Sequence, residues 1–280
     1  MHLYKTEVGP VLVQQSNAYV FRETWDVLIN RAALHAHLVQ VSKSLQPVPS
    51  DQLQTLLTHA RAPIGTQEVW AAGVTYLRSR DARMEESKES GAADVYQKVY
   101  EANRPELFFK ALPARVVGPG QRVFVRSDSS WNVPEPELTL FINSEGSIQA
   151  YTIGNDMSSR SIEGENPLYL PQAKMYEGSC ALGPCLYIPE NPISLETEIA
   201  ISIIRNRQEV FGGTIRLNRM KRSFTELAGW LYKACKFPQG SFLMTGTGLV
   251  PPNDFTLQKN DEVIISIDGI GTLSNEVDVL

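Results

Sequence analysis

Histidine is scarce and confined to one end of the chain: all four, His2, His35, His37 and His59, lie within the first 59 residues. The rest of the chain offers no imidazole for a Ser-His triad, a Cys-His pair or a histidine-rich metal site. His35 and His37, two apart in a predicted helix, point to different faces and read as surface or core residues. Cysteine is sparse as well, and Cys180, Cys185 and Cys235 form an odd set at spacings that match no zinc or disulfide framework. They read as small core residues. No apolar run approaches the roughly 18 residues a membrane span needs, and residues 1–15 lack the basic-then-apolar order of a signal peptide. A cytoplasmic chain is expected. There is no G-x-S-x-G, no Walker loop and no G-x-G-x-x-G, so hydrolases and nucleotide enzymes of those types drop out.

With 280 residues, the chain suits one large domain or one domain with a small companion. Its 42% hydrophobic and 20% charged residues are ordinary globular proportions and exclude disorder as the main state. The formal charge of -5, with 26 Lys and Arg spread along the chain, leaves no basic footprint for nucleic acid or anionic membrane. Small-molecule or protein partners are expected instead.

Residues 1–62 read as a small N-terminal α/β domain: strands at 11–13 and 18–21, a helical stretch at 24–45, then a turn at Pro47-Val48-Pro49 with Ser50 as N-cap of a helix over 51–60. Residues 63–280 form the second domain. From Glu68 onward short strands alternate with Gly and Pro, at 69–74, 114–117, 122–126, 137–143, 148–155, 198–205, 209–213 and 263–267. The class is α+β, mainly β. Residues 77–97, rich in both charge signs, read as a helix with little apolar face, either solvated or serving as a lid. A helix over 224–235 starts from Ser223, with Glu226 completing a capping box.

The informative stretch starts at Asn132. In Val133-Pro134-Glu135-Pro136-Glu137, the strand period of two puts Glu135 and Glu137 on one face, and the two prolines place the segment at an edge or a strand start. Asn143-Ser144-Glu145-Gly146 is a turn signal between two apolar runs. Pairing across that turn joins residues whose numbers sum to about 289–291, which sets Glu135 opposite residues 154–156. Asp156 then arrives beside both glutamates. Three carboxylates in contact repel and raise one another's pKa unless a cation lies between them. Oxygen donors without His or Cys favour Mg²⁺, with Mn²⁺ as the alternative ion. Spacing alone leaves open a solvated acidic edge that prevents strand pairing.

These residues resemble the metal motif of the fumarylacetoacetate hydrolase superfamily, Glu-x-Glu followed further on by an Asn-Asp pair, here Glu135, Glu137 and Asn155-Asp156. The resemblance extends over most of the chain from Glu68, through Ala72-Gly73-Val74-Thr75-Tyr76, Lys174 ahead of Ser179-Cys180-Ala181-Leu182-Gly183-Pro184, Thr245-Gly246-Thr247-Gly248, and Ile267-Asp268-Gly269-Ile270-Gly271-Thr272-Leu273. It implies a β-roll catalytic domain behind the smaller N-terminal one, in a homodimer or homotetramer. Hydrolases of the superfamily carry a water-activating His shortly after the Gly-x-x-Tyr segment. In this chain that place falls at about Ser79. The run from Ser158 to Lys174 instead resembles the branch that dehydrates 2-keto-3-deoxy sugar acids.

That resemblance implies Mg-dependent dehydration of a 2-keto-3-deoxypentonate to 2,5-dioxopentanoate through an enolate. Lys174 is the candidate base or cation, and Glu106, in Arg104-Pro105-Glu106-Leu107-Phe108-Phe109-Lys110, the candidate for proton exchange at C3 or the leaving hydroxyl. Thr245 and Thr247 in a Gly-rich turn, and Ser79 and Arg78 at the start of the charged stretch, are candidate substrate contacts. An acylpyruvate-type C–C hydrolase or an oxaloacetate-type decarboxylase is the alternative, and it needs a water-activating group. A binding protein that keeps the fold without turnover is the non-enzymatic alternative.

Overall fold

The computed structural model describes residues 1–86 and 93–280. Strands β1 (His2–Thr6), β2 (Gly9–Gln14) and β3 (Asn17–Val20) form an antiparallel meander, followed by helices α1 (Trp25–Ile29), α2 (Leu34–Ser42) and α3 (Ser50–Thr58). Then come β4 (Glu68–Gly73), α4 (Leu77–Glu86), α5 (Ala93–Glu101), β5 (Glu106–Ala111), β6 (Val116–Val117), β7 (Arg122–Val125) and β8 (Asn132–Val133). The hairpin strands β9 (Pro136–Ile142) and β10 (Ile148–Asp156) precede β11 (Ser158–Ser159), α6 (Arg160–Glu165), α7 (Leu170–Lys174) and β12 (Cys180–Tyr187). The last elements are β13 (Glu198–Arg205), β14 (Gln208–Arg216), α8 (Phe224–Tyr232), β15 (Ser241–Met244), β16 (Glu262–Ile267) and β17 (Gly271–Val279).

The large mixed sheet runs β3-β2-β1-β12-β10-β9-β15-β4-β5, with β6 added on β12, and a second sheet runs β14-β13-β16-β17-β7. Alternation along β9 separates two cores. Leu138, Leu140 and Ile142 share one core with Ile199 and Ile201 of β13 and with Val263, Ile265 and Ile267 of β16. Phe141 turns to the other face, where it joins Leu28, Leu34 and Leu38 of the first helices. Residues 1–62 continue the large sheet, since β1 pairs with β12, and their helices cover its second face.

Most expected strands are present, and the hairpin register is the one the turn predicts: Tyr151 pairs with Leu140, and Gly154 with Glu137. Cys180 and Cys185 are buried as expected, whereas Cys235 is exposed. Four expectations about the helices change. The stretch over 24–45 is two helices, interrupted where Ala33 takes a φ of 50°. Helix α3 begins at Ser50 with Pro49 in the cap position, so Ser50 does not precede it. The charged stretch over 77–97 forms α4 and α5, and Lys88 and Glu89 lie outside the described residues. It is not solvated throughout, because Ala82, Arg83 and Tyr96 are buried. Helix α8 stops at Tyr232, and only half of the capping box forms: Ser223 Oγ accepts from the Glu226 N–H, while the Glu226 carboxylate pairs with Arg222.

Candidate active site

The start of β9, the end of β10, the end of β4, the start of β5 and the residues after β15 meet at one end of the large sheet, as their registers require. Glu135 and Glu137 come from the first of these and Asp156 from the second, with the Asp156 N–H donating to the Glu135 carbonyl at 3.0 Å. Carboxylate oxygens of the three lie within 4.8 Å of one another. Their exposures of 5%, 1% and 1% exclude the alternative of a solvated acidic edge.

Cations surround the cluster. Lys174 Nζ donates to Glu135 Oε2 at 2.6 Å and to Asp156 Oδ2 at 3.1 Å, and Arg160 donates to Glu135 Oε1 at 2.6 Å. Burial alone would raise Glu135, but Lys174, Arg160 and Arg83 outweigh it and hold the carboxyl at about 2. Glu137 goes the other way, raised well above the usual range by burial and by the neighbouring charges of Asp156 and Glu135. Its Oε2 accepts the Gly246 N–H at 2.5 Å. Gly246 has a φ of +93°, and a Cβ there would lie 2.0 Å from Thr75 Oγ1, so the close approach depends on glycine. A buried set of oxygen donors with one carboxyl under electrostatic pressure from two others fits a hard divalent cation.

Glu106 opens β5 opposite Gly73. A Cβ on Gly73 would lie 1.9 Å from Glu106 Oε2, so the glycine makes room for this carboxylate. The residue as a whole is partly exposed, yet Oε2 is sealed and has no hydrogen-bond partner among the described residues. Burial raises its pKa, Arg83 and Lys174 pull it down, and Glu135 and Asp156 push it up, with a net rise.

The cleft beside the three carboxylates is lined by Gly73, Ser79, Arg83, Phe108 and Thr247. Ser79 Oγ donates to the Tyr76 carbonyl at 2.8 Å, and Thr247 Oγ1 donates to the Leu249 carbonyl at 3.2 Å. Thr245 is buried with its hydroxyl on the Leu138 carbonyl at 2.8 Å, and Arg78 is exposed; neither lines the cleft. Four buried groups were not singled out from sequence: Arg160, already described, and Lys110, Arg83 and Glu163. Lys110 lies 2.6 Å from Asp156 Oδ1, and Arg83 of α4 pairs with Glu163 of α6, which also accepts from Ser158 Oγ at 3.1 Å. Lys110 had no clean signal, since a register shift opposite Val69 and Trp70 interrupts the alternation that runs from Glu106.

A family profile described as fumarylacetoacetate hydrolase, C-terminal, matches residues 69–278. The chain belongs to the fumarylacetoacetate hydrolase family. Among its relatives in that family is a probable 2-keto-3-deoxyxylonate dehydratase of Haloferax volcanii, 49% identical over 220 residues, covering 78% of this chain and 75% of the relative. Another is the 2-dehydro-3-deoxy-D-arabinonate dehydratase of Saccharolobus solfataricus, 44% identical over 220 residues, covering 77% of this chain and 73% of the relative. A solved structure of 2-keto-3-deoxy-D-arabinonate dehydratase complexed with magnesium and 2,5-dioxopentanoate superposes with a TM-score of 0.84 at 34% identity, covering 100% of this chain and 99% of that one.

Proposed function

We propose that this protein is a magnesium-dependent dehydratase of 2-keto-3-deoxy sugar acids that converts a 2-keto-3-deoxypentonate to 2,5-dioxopentanoate and water. The observation that carries the reading is the buried triad of Glu135, Glu137 and Asp156 beside Glu106, a carboxyl with one sealed oxygen that has no hydrogen-bond partner among the described residues. The relatives at 49% and 44% identity, named as dehydratases of such acids, support it.

The triad would hold the magnesium, whose chemistry when bound is Lewis acidity toward the carboxylate and C2 carbonyl of the substrate. Lys174, hydrogen-bonded to Glu135 and Asp156, would supply positive charge to stabilise an enolate. Glu106 exchanges the protons: it removes one from C3, and in protonated form it delivers one to the C4 hydroxyl as that group departs as water. Loss of a C5 proton and protonation at C3 then convert the enone to the enol of the aldehyde, which tautomerises to the product. A carboxyl held above its ordinary range suits both directions of transfer. Ser79 and Thr247 border the cleft and are assigned to the substrate's polar end.

Turnover of a 2-keto-3-deoxypentonate by the purified protein, with Mg²⁺ and then with EDTA, tests the reading, with an acylpyruvate assayed in parallel. Metal-dependent 2,5-dioxopentanoate is expected; pyruvate release alone would overturn it in favour of C–C hydrolysis. A homodimer or homotetramer is part of the same proposal, and a solution mass measurement tests it.

A further inference from the structure

Lys110 is fully buried, and its surroundings are specific. Its Nζ donates to the Met157 carbonyl at 3.0 Å and to the Lys174 carbonyl at 2.5 Å, and it lies 2.6 Å from Asp156 Oδ1. Two protons of the ammonium go to the carbonyls, and the approach to Asp156 Oδ1 is an ion pair. The two carbonyls lie on either side of the site: Met157 directly follows the end of β10, and Lys174 closes α7. Strand β5 carries Glu106 and Phe108 on one face, a register shift opposite Val69 and Trp70 re-aims the strand at Lys110, and the Phe108 ring lies 5.7 Å from Lys174 Nζ.

The two lysines are held differently. The hydrogen bonds of Lys174 Nζ go to Glu135 and Asp156, the carboxylates assigned to the cation. Lys110 shares Asp156 with it but is also anchored by two backbone carbonyls, so part of its hold comes from outside those carboxylates. A charge with no exposure persists only where it is paired and hydrogen-bonded, and removing it would leave Asp156 Oδ1 and two carbonyls without their cation.

We infer that Lys110 is a positioning residue for the metal site: it fixes the Asp156 carboxylate from behind and ties Lys174 to the end of β10, so that the cation and the catalytic lysine share one frame. The inference rests on the triad being the metal site and is independent of which sugar acid is the substrate.

The test is Mg²⁺ binding by calorimetry to wild-type protein and to Lys110→Met, which keeps the length of the side chain and removes the charge. Affinity is expected to fall roughly 10–100-fold, the usual effect of removing a group that orients a metal ligand. kcat at saturating Mg²⁺ should fall as well, because Lys174 loses its tie. A folded Lys110→Met variant with wild-type affinity would overturn the inference while leaving the proposed function intact. Failure of the wild-type protein to bind Mg²⁺ would instead overturn the metal-site reading itself. A measurement on unaltered protein covers the case in which the variant does not fold: with lysines labelled at Nζ with ¹⁵N, Mg²⁺ titration should shift the Lys110 resonance together with that of Lys174. An unmoved Lys110 resonance during saturable Mg²⁺ binding would overturn the inference.

Discussion

Glu137 and Glu135 stand in the same small volume and are driven in opposite directions. Removing the more strained of the two, by Glu137→Gln, should abolish Mg²⁺ binding in calorimetry and drop turnover by more than the roughly 10–100-fold lost with a supporting neighbour; a variant with wild-type turnover would remove Glu137 from the metal set. The same pair sets a pH dependence. Glu137 and Glu106, both raised, keep protons in the folded protein that the unfolded chain releases at about pH 4.3, so they make metal-free protein less stable as pH climbs from about 4.3 through their raised values. Glu135, held at about 2, acts oppositely: its contribution is present above about 4.3 and is lost as pH falls toward about 2. Because Mg²⁺ binds the deprotonated carboxylates, its stabilising effect should grow with pH over the window in which Glu137 ionises. Melting temperatures with and without Mg²⁺ across that window measure this, and a pH-independent difference would contradict it. The triad was legible because a period of two and one turn signal suffice to bring Glu135, Glu137 and Asp156 together. Arg83 and Glu163 were not, since their meeting depends on how α4 packs against α6, which no local pattern encodes.

Among elements, β4 and β5 form the wall that holds Glu106, the proposed proton carrier. Gly73→Ala would put a methyl where Glu106 Oε2 now lies, so it should lower kcat by up to about 10²-fold, the scale of an ångström of misplacement. Mg²⁺ affinity should stay near wild type, because Gly73 touches none of the three ligands' hydrogen bonds; equal loss of both would show a general collapse of the wall. Two of the strands that escaped the sequence reading share a physical reason. Strand β15 is buried at every position and β12 at nearly every one, so neither shows the alternation of a half-exposed strand. Strands β13 and β16, with one face toward solvent, alternate cleanly and were placed to within a residue.

At the scale of the whole molecule, the site is assembled from segments between Ala72 and Thr247, so a ligand that bridges β9 and β10 stabilises the fold as a unit. Mg²⁺ at about a hundred times its dissociation constant should add about 2.7 kcal/mol, and scanning calorimetry at fixed pH reads this as a rise in melting temperature that EDTA reverses. A further consequence follows from the way the first helices lie on the large sheet. Leu28, Leu34 and Leu38 cover Phe141, Leu182 and Phe242, which belong to strands running directly to the site. A chain begun at Pro63 would retain every carboxylate and lysine discussed above, yet it would turn the back of its own catalytic sheet into a greasy, adhesive surface. Such a fragment should clump rather than work, which makes the N-terminal segment a shield against self-association for a cleft it does not line.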